Sequence, residues 1–175
     1  MDDAPEPEEL NSETSRPPSV EDLVRLCGEL NGIGARYLVV GGFAIRSAGY
    51  IRDTMDVDLL IDTSPENEAR VYQALESLPD KAVRELDPGD VSNYTVVRVG
   101  DEIVVDLMAS ACGIGYYEAV QDAVIRVIEG VAIPFASPRM LWRMKEKTHR
   151  AKDAADLLFL RQQYGDEIFG TEGRE

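Results

Sequence analysis

The sequence is short of the residues that build soft-metal and redox sites. It holds two cysteines, Cys27 and Cys112, and a single histidine, His149, in 175 residues. The cysteines lie in separate apolar segments without C-x-x-C spacing, which excludes the usual zinc and thiol-redox motifs and leaves buried free thiols as the expectation. Long hydrophobic runs are also missing. None approaches the roughly 18 residues of a membrane span, and the N-terminus lacks the charged, apolar and small-residue order of a leader peptide. A cytoplasmic, reducing location with no membrane partner is therefore expected. Positive charge is scarce as well: 18 Lys and Arg face 33 Asp and Glu, for a net charge of -15. Such a field repels a long nucleic acid unless a local basic patch holds it, and tolerates a small nucleotide carried with metal ions.

What is present is ordinary for a soluble globular chain, with 44% hydrophobic and 29% charged residues. The length suits one domain with a real core. Residues 1–18 hold four prolines, many acids and almost no large apolar side chains. That composition cannot repay the entropy of ordering, so a disordered acidic tail is expected there, followed by a single domain over 19–165 and a flexible tail over 166–175.

Hydrophobic periodicity then changes along the chain. Val20, Leu23, Val24, Cys27 and Leu30 recur at helical spacing behind a capping box of Ser19 and Asp22. Tyr37 to Val40 reads as a buried strand, Phe43 to Ala48 as a short helix stopped by Gly49, and Val57 to Ile61 as an interior strand. Ser64 caps a further helix with Pro65 in its first turn. Lys81 to Leu86 reads as an edge strand, and Tyr94–Val99 and Glu102–Met108 as a hairpin about Gly100-Asp101. A short helix over Tyr116–Asp122 precedes a second hairpin about Glu129-Gly130. Two helices close the chain: one from Pro138 to about Thr148, and one over Asp153–Gln163 with Ala154, Leu157 and Leu158 facing inward. The sum is an α+β fold, a mixed sheet flanked by helices.

One stretch, residues 37–62, concentrates chemistry. Its apolar run ends in Gly41-Gly42 before a helix start, where backbone can approach an anion and amides are free. Beyond thirteen intervening residues Asp56 and Asp58 stand two apart on a strand, so both project to one face. A D-x-D pair alone is also a common cap. Asp106, however, lies within the otherwise apolar run IVVDLM, where an unpaired carboxylate costs several kcal/mol or shifts its pKa until neutral. If the two strands are neighbours, the three acids form a hard-oxygen donor set suited to magnesium or manganese; the plainer alternative is that Asp56 is a cap and Asp106 the salt-bridged neighbour of an arginine.

The combination resembles the polymerase-beta-like nucleotidyltransferase superfamily. It is most similar to its AbiEii-like toxin group, through GGFA at Gly41–Ala44, RDTMDVDLL at Arg52–Leu60 and KTHRAKDAADL at Lys147–Leu157. The resemblance covers about residues 35–162. It implies a magnesium- or manganese-dependent enzyme that moves a nucleoside monophosphate from ATP or another nucleoside triphosphate to a hydroxyl on RNA, tRNA or protein, with an antitoxin protein as partner. Asp56, Asp58 and Asp106 would be the catalytic metal ligands, Asp106 also taking the proton of the attacking hydroxyl. Gly41 and Gly42 would hold the triphosphate by backbone alone, since Gly42 stands where the family often has serine.

Arg52 and Thr54, just before the D-x-D, are candidates to contact the nucleotide or to order their own turn. Arg139, Arg143, Lys145, Lys147, Arg150 and Lys152 fall within fourteen residues of an acidic chain. Of these, Lys147, Arg150 and Lys152 are the candidate phosphate ligands. Tyr50 is a candidate for stacking a base, Trp142 is expected in the core, and His149 at the surface. Two other readings fit the same residues: transfer to a small-molecule acceptor such as an antibiotic, for which global acidity suits a cationic substrate, and a non-catalytic nucleotide-binding module.

Overall fold

The structure is a computed structural model that describes residues 15–170. The chain opens on helix α1 (Val20–Gly32), whose Ser19 and Asp22 close the expected capping box. Strand β1 (Tyr37–Val40) leads into helix α2 (Gly41–Ser47), and strand β2 (Asp56–Ile61) into helix α3 (Pro65–Leu75), capped by the Ser64 hydroxyl. A 3-10 turn (Ala82–Glu85) and short helix α4 (Asp90–Asn93) precede strands β3 (Val97–Gly100) and β4 (Val104–Met108). A small ladder of β5 (Ser110–Ala111) and β6 (Ile114–Gly115) follows, then α5 (Tyr116–Ala119), β7 (Val124–Ile128) and β8 (Val131–Phe135). Helices α6 (Pro138–Lys145) and α7 (Ala151–Phe169) close the described chain.

Six strands form one mixed sheet in the order β3-β4-β2-β1-β8-β7, so the fold is α+β as expected. The interior strands are nearly continuous apolar runs: Leu38, Val39, Val57, Leu59, Leu60, Val105 and Leu107 are fully buried. Strands covered on both faces show this lack of alternation. β2 runs parallel to β4 and antiparallel to β1. Its polar half, Asp56-Val57-Asp58, reaches the end of the sheet from which α2 departs. α1 packs against α3 and β8, while α6 packs against α7 and α2. At the far edge, β7 has no outer neighbour among the described residues and exposes Ile125 and Val127.

Several expectations change. The 81–86 segment holds the 3-10 turn Ala82–Glu85 rather than an edge strand, and the buried Asp101 carboxylate accepts from the Asp80 and Ala82 amides, and from that of Glu102. Amides taken up by a side chain are not available to a ladder. The β3–β4 turn widens for the same reason, with Gly100 opposite Val104 in place of a two-residue hairpin. On α7 the inward face is Asp153, Asp156 and Leu160; Ala154 and Leu158 are exposed and Leu157 is half-buried. Cys27 is buried, but Cys112 is exposed, in a left-handed conformation, its thiol directed at the Met144 carbonyl.

The tail expectations for 1–14 and 171–175 lie outside the described residues. Ser15 and Arg16 dock on the β3–β4 turn and on α1: Ser15 donates to the Asp101 carbonyl and Arg16 pairs with Asp22 through two bonds of 2.6 and 2.8 Å. Residues 166–169 continue α7 beyond a break in helical geometry at Tyr164.

Asp101→Ala orphans three amides around the β3–β4 turn and is expected to cost about 3 kcal/mol. Urea unfolding of the variant measures it, and an unchanged midpoint would remove Asp101 as the organiser of this loop.

Candidate active site

Register brings the three acids together. Asp58 on β2 pairs directly with Asp106 on the parallel strand β4, and Asp56 lies two residues before it on the same face. One carboxylate oxygen from each of Asp56, Asp58 and Asp106 lies within 4.8 Å of the others. They form the floor of a cleft of about 650 Å³, a size suited to a small-molecule ligand.

The glycine pair makes this packing possible. Gly41 has φ +66, and a Cβ there would collide with the Asp58 carboxylate; a Cβ on Gly42 would collide with the Thr54 hydroxyl. Both positions therefore require glycine for space, and Gly41 also for its backbone. The Thr54 hydroxyl donates to the Asp56 carbonyl at 3.0 Å, fixing the turn into β2.

Three acids so close repel one another, and burial adds to the cost. The Asp58 carboxyl is pushed up to about 8, first by burial and then by the charges of Asp56 and Asp106. Asp56 is raised as well, by burial and by Asp106, with Arg98 and Lys152 opposing the shift. The donor set is all carboxylate, close-set, partly desolvated and short of countercharge, which is the chemistry that a magnesium or manganese ion satisfies.

Positive charge converges on the cleft from four elements. Arg98 on β3 lies opposite Asp106 and grips it with two bonds, Nε at 2.9 Å and one terminal nitrogen at 3.0 Å; that nitrogen also reaches Asp56 at 3.4 Å. Sequence reasoning missed it. Arg52 lines the cleft but is committed to Asp156 by bonds of 2.8 and 2.9 Å. Lys145 lies 3.0 Å from both Asp153 and Asp156, and Arg150 is 2.7 Å from Asp153. Burial opposes ionisation of Asp153, but bonds from Thr148, Lys145 and Arg150 hold its carboxyl down at about 2. The buried acids of α7 thus anchor the cleft wall. Lys152 also lines the cleft and acts on Asp56 and Asp58 without forming an ion pair among the described residues.

Of the phosphate-ligand candidates, then, Gly41, Gly42, Arg52, Thr54, Arg150 and Lys152 line the cleft. Lys147 does not: α6 ends at Lys145, and Lys147 sits exposed in the following turn. Lys145 takes the inward place. It follows Leu141 and Met144 at the spacing of the buried face, a signal available in the sequence. Tyr50 stacks on Phe159 with centroids 5.1 Å apart, outside the cleft lining. Trp142 is half-buried, edge-on to Phe169 with Arg161 over its ring, and His149 is exposed.

No protein-family model matches the sequence, and no curated protein matches it. Solved structures do. An antigenic nucleotidyltransferase-like protein from Paracoccidioides brasiliensis superposes with a TM-score of 0.52 at 18% identity, over 83% of this chain and 78% of that one. A candidate nucleotidyltransferase from H. pylori gives a TM-score of 0.49 at 20% identity, over 94% of this chain and 72% of the other. The sheet order, the helices around it and the first of these superpositions together show that the chain has the fold of nucleotidyltransferase-like proteins.

Proposed function

We propose that the protein is a metal-dependent nucleotidyltransferase, moving a nucleoside monophosphate from a nucleoside triphosphate to a hydroxyl acceptor. The observation that carries this reading is the meeting of Asp56, Asp58 and Asp106 within 4.8 Å on the floor of a cation-lined cleft. A fold shared with nucleotidyltransferase-like structures is compatible with it but does not establish chemistry.

Asp56, Asp58 and Asp106 would hold the ion, magnesium or manganese, which when bound supplies Lewis-acid polarisation of the reacting phosphate. The chain's own groups do the rest. The acceptor oxygen forms a bond to the α-phosphorus, the bond from that phosphorus to the α,β-bridging oxygen breaks, and pyrophosphate leaves with the electron pair. The hydroxyl proton passes to a carboxylate oxygen of Asp106, the acid nearest the outer strands. The close approach that Gly41 and Gly42 permit lets backbone face the triphosphate, while Lys152 and Arg150 offset its charge from the α7 side. Arg52 and Thr54 serve as positioning groups, since their polar atoms are already committed to Asp156 and to the Asp56 carbonyl.

For the acceptor, charge favours a protein or small-molecule hydroxyl over RNA or tRNA. Five cations line the cleft, but Arg52, Lys145 and Arg150 are tied to Asp153 and Asp156, and Arg98 to the acids of the floor. Lys152 remains, on a chain of net charge -15, and a polyanion gains little from that. Met55 and Val96 on the cleft lining are exposed and apolar, which suits a less charged acceptor. A toxin-type role with an antitoxin partner rests on the likeness of the GGFA, RDTMDVDLL and KTHRAKDAADL segments to the AbiEii-like group.

Incubation with α-labelled nucleoside triphosphates, magnesium and parallel acceptors (total RNA, protein and aminoglycosides) tests the assignment. Asp58→Ala is expected to lower label transfer on the order of a thousandfold with unchanged circular dichroism; undiminished transfer would sink the reading. A second outcome concerns pH in the presence of chelator. Between the ordinary carboxylate value of 3.8 and about 8 the folded protein keeps a proton on Asp58 that the unfolded chain has lost. Stability therefore falls as pH rises through that window and levels off above it. Asp58→Asn should flatten the slope in melting temperature, and a wild-type slope in that variant would place the proton elsewhere.

A further inference from the structure

The cations of the cleft differ in how they are held. Arg52, Lys145 and Arg150 are anchored in a buried network with Asp153 and Asp156, whose side chains have no solvent exposure. Arg98 is held by nothing comparable. Its hydrogen bonds and ion pairs among the described residues go only to Asp106 and Asp56, apart from the ladder of its own strand, and nearly half of its side chain is exposed. It sits on the outermost strand of the sheet, with Thr95 and Val96 beside it on the cleft lining.

We infer that Arg98 is the built-in countercation of the acid triad, and that a divalent ion and the Arg98 guanidinium compete for the oxygens of Asp106 and Asp56. The inference rests on the triad being the ion site. A bidentate guanidinium satisfies both oxygens of Asp106 and neutralises one of three mutually repelling charges. An arriving ion must displace it or bind with less of the carboxylate charge available. Once displaced, Arg98 has no second carboxylate anchor among the described residues, and its side chain, nearly half exposed, lines the cleft from the edge of the described sheet. A polyphosphate is the ligand best matched to a freed planar fork of donors.

The consequence is coupling. A nucleotide that takes Arg98 leaves the acids to the ion, and an ion that takes the acids leaves Arg98 to the nucleotide, so each tightens the other by the same factor. Arg98 thus acts as a positioning residue that makes ion loading depend on substrate. Magnesium alone would meet a site already partly neutralised.

Manganese titration of the full chain, followed through the electron paramagnetic resonance of free aqueous ion, separates the possibilities. It is run with and without a triphosphate analogue carrying a non-cleavable α,β-methylene bridge. For the wild type, the analogue is expected to tighten manganese binding on the order of tenfold. R98Q is expected to bind manganese alone more tightly than wild type by a similar factor, with a smaller further gain from the analogue than the wild type shows, the remainder being the direct contact of phosphate with the ion. R98K, which keeps the charge but loses the fork, should fall between them, and guards against a folding defect in R98Q. The inference is overturned if both variants bind manganese no more tightly than wild type, which would make Arg98 a support that holds Asp106 in place for the ion. D58N is the control for the underlying reading: wild-type manganese affinity in that variant would show that the triad is not the ion site at all.

Discussion

Mutual repulsion among Asp56, Asp58 and Asp106 is the constraint around which the rest of this protein is arranged. Two parallel strands in register hold three carboxylates closer than water would leave them, and strand pairing cannot relax without breaking the centre of the sheet. Folding therefore has to bring in compensating charge. It does so from outside β2 and β4: Arg98 from the neighbouring edge strand, Lys152 from the start of α7, and Lys145 from the end of α6. Even so the balance is incomplete, and Asp58 answers by retaining its proton well above the ordinary range. A local structure that is costly in isolation, and that a cation would relieve, is what the proposed ion-dependent chemistry requires.

The second shell of charge serves the first. Asp153 and Asp156 are buried on a helix face that would ordinarily carry leucine or isoleucine. Each is matched by basic groups from other segments, so the loop before β2, the end of α6 and the start of α7 are joined through ions rather than apolar contact alone. Buried ion pairs of this kind are weak evidence for stability, because desolvation consumes most of the Coulombic gain. They are directional, however. The Arg52–Asp156 fork fixes the turn that delivers Asp56 and Asp58, and the hydroxyl of Thr54 completes it.

Much of this was legible in the residues. An apolar strand ending in two glycines, acids at period two, and one acid inside an apolar run are local signals, and local signals survive in sequence. Pairings between segments do not. Arg98 in VRVG reads as the outward residue of an alternating strand, and a two-residue turn at Gly100-Asp101 would have set it opposite Ile103. The wider turn, imposed when Asp101 is spent on the amides of Asp80 and Ala82, sets it opposite Asp106 instead. The α7 face differs for a related reason: its apolar residues read as the inward ones, whereas Asp153 and Asp156 go inside because partners for them arrive from elsewhere in the chain. Lys145 is legible from its spacing to Leu141 and Met144, whereas only the motif letters, not helix geometry, favour Lys147.

The far edge of the sheet carries an implication for how the molecule behaves in a tube. Among the described residues β7 offers an unpaired row of backbone donors and acceptors with Ile125 and Val127 facing solvent, and such an edge invites another chain to add a strand. Against such addition stands the excess of acid over base, which makes copies repel one another at neutral pH. That protection is colloidal, and it vanishes near the isoelectric point of about 4.4. The same acidity that bears on the proposed acceptors therefore also opposes strand addition at this edge, and mild acid weakens that opposition.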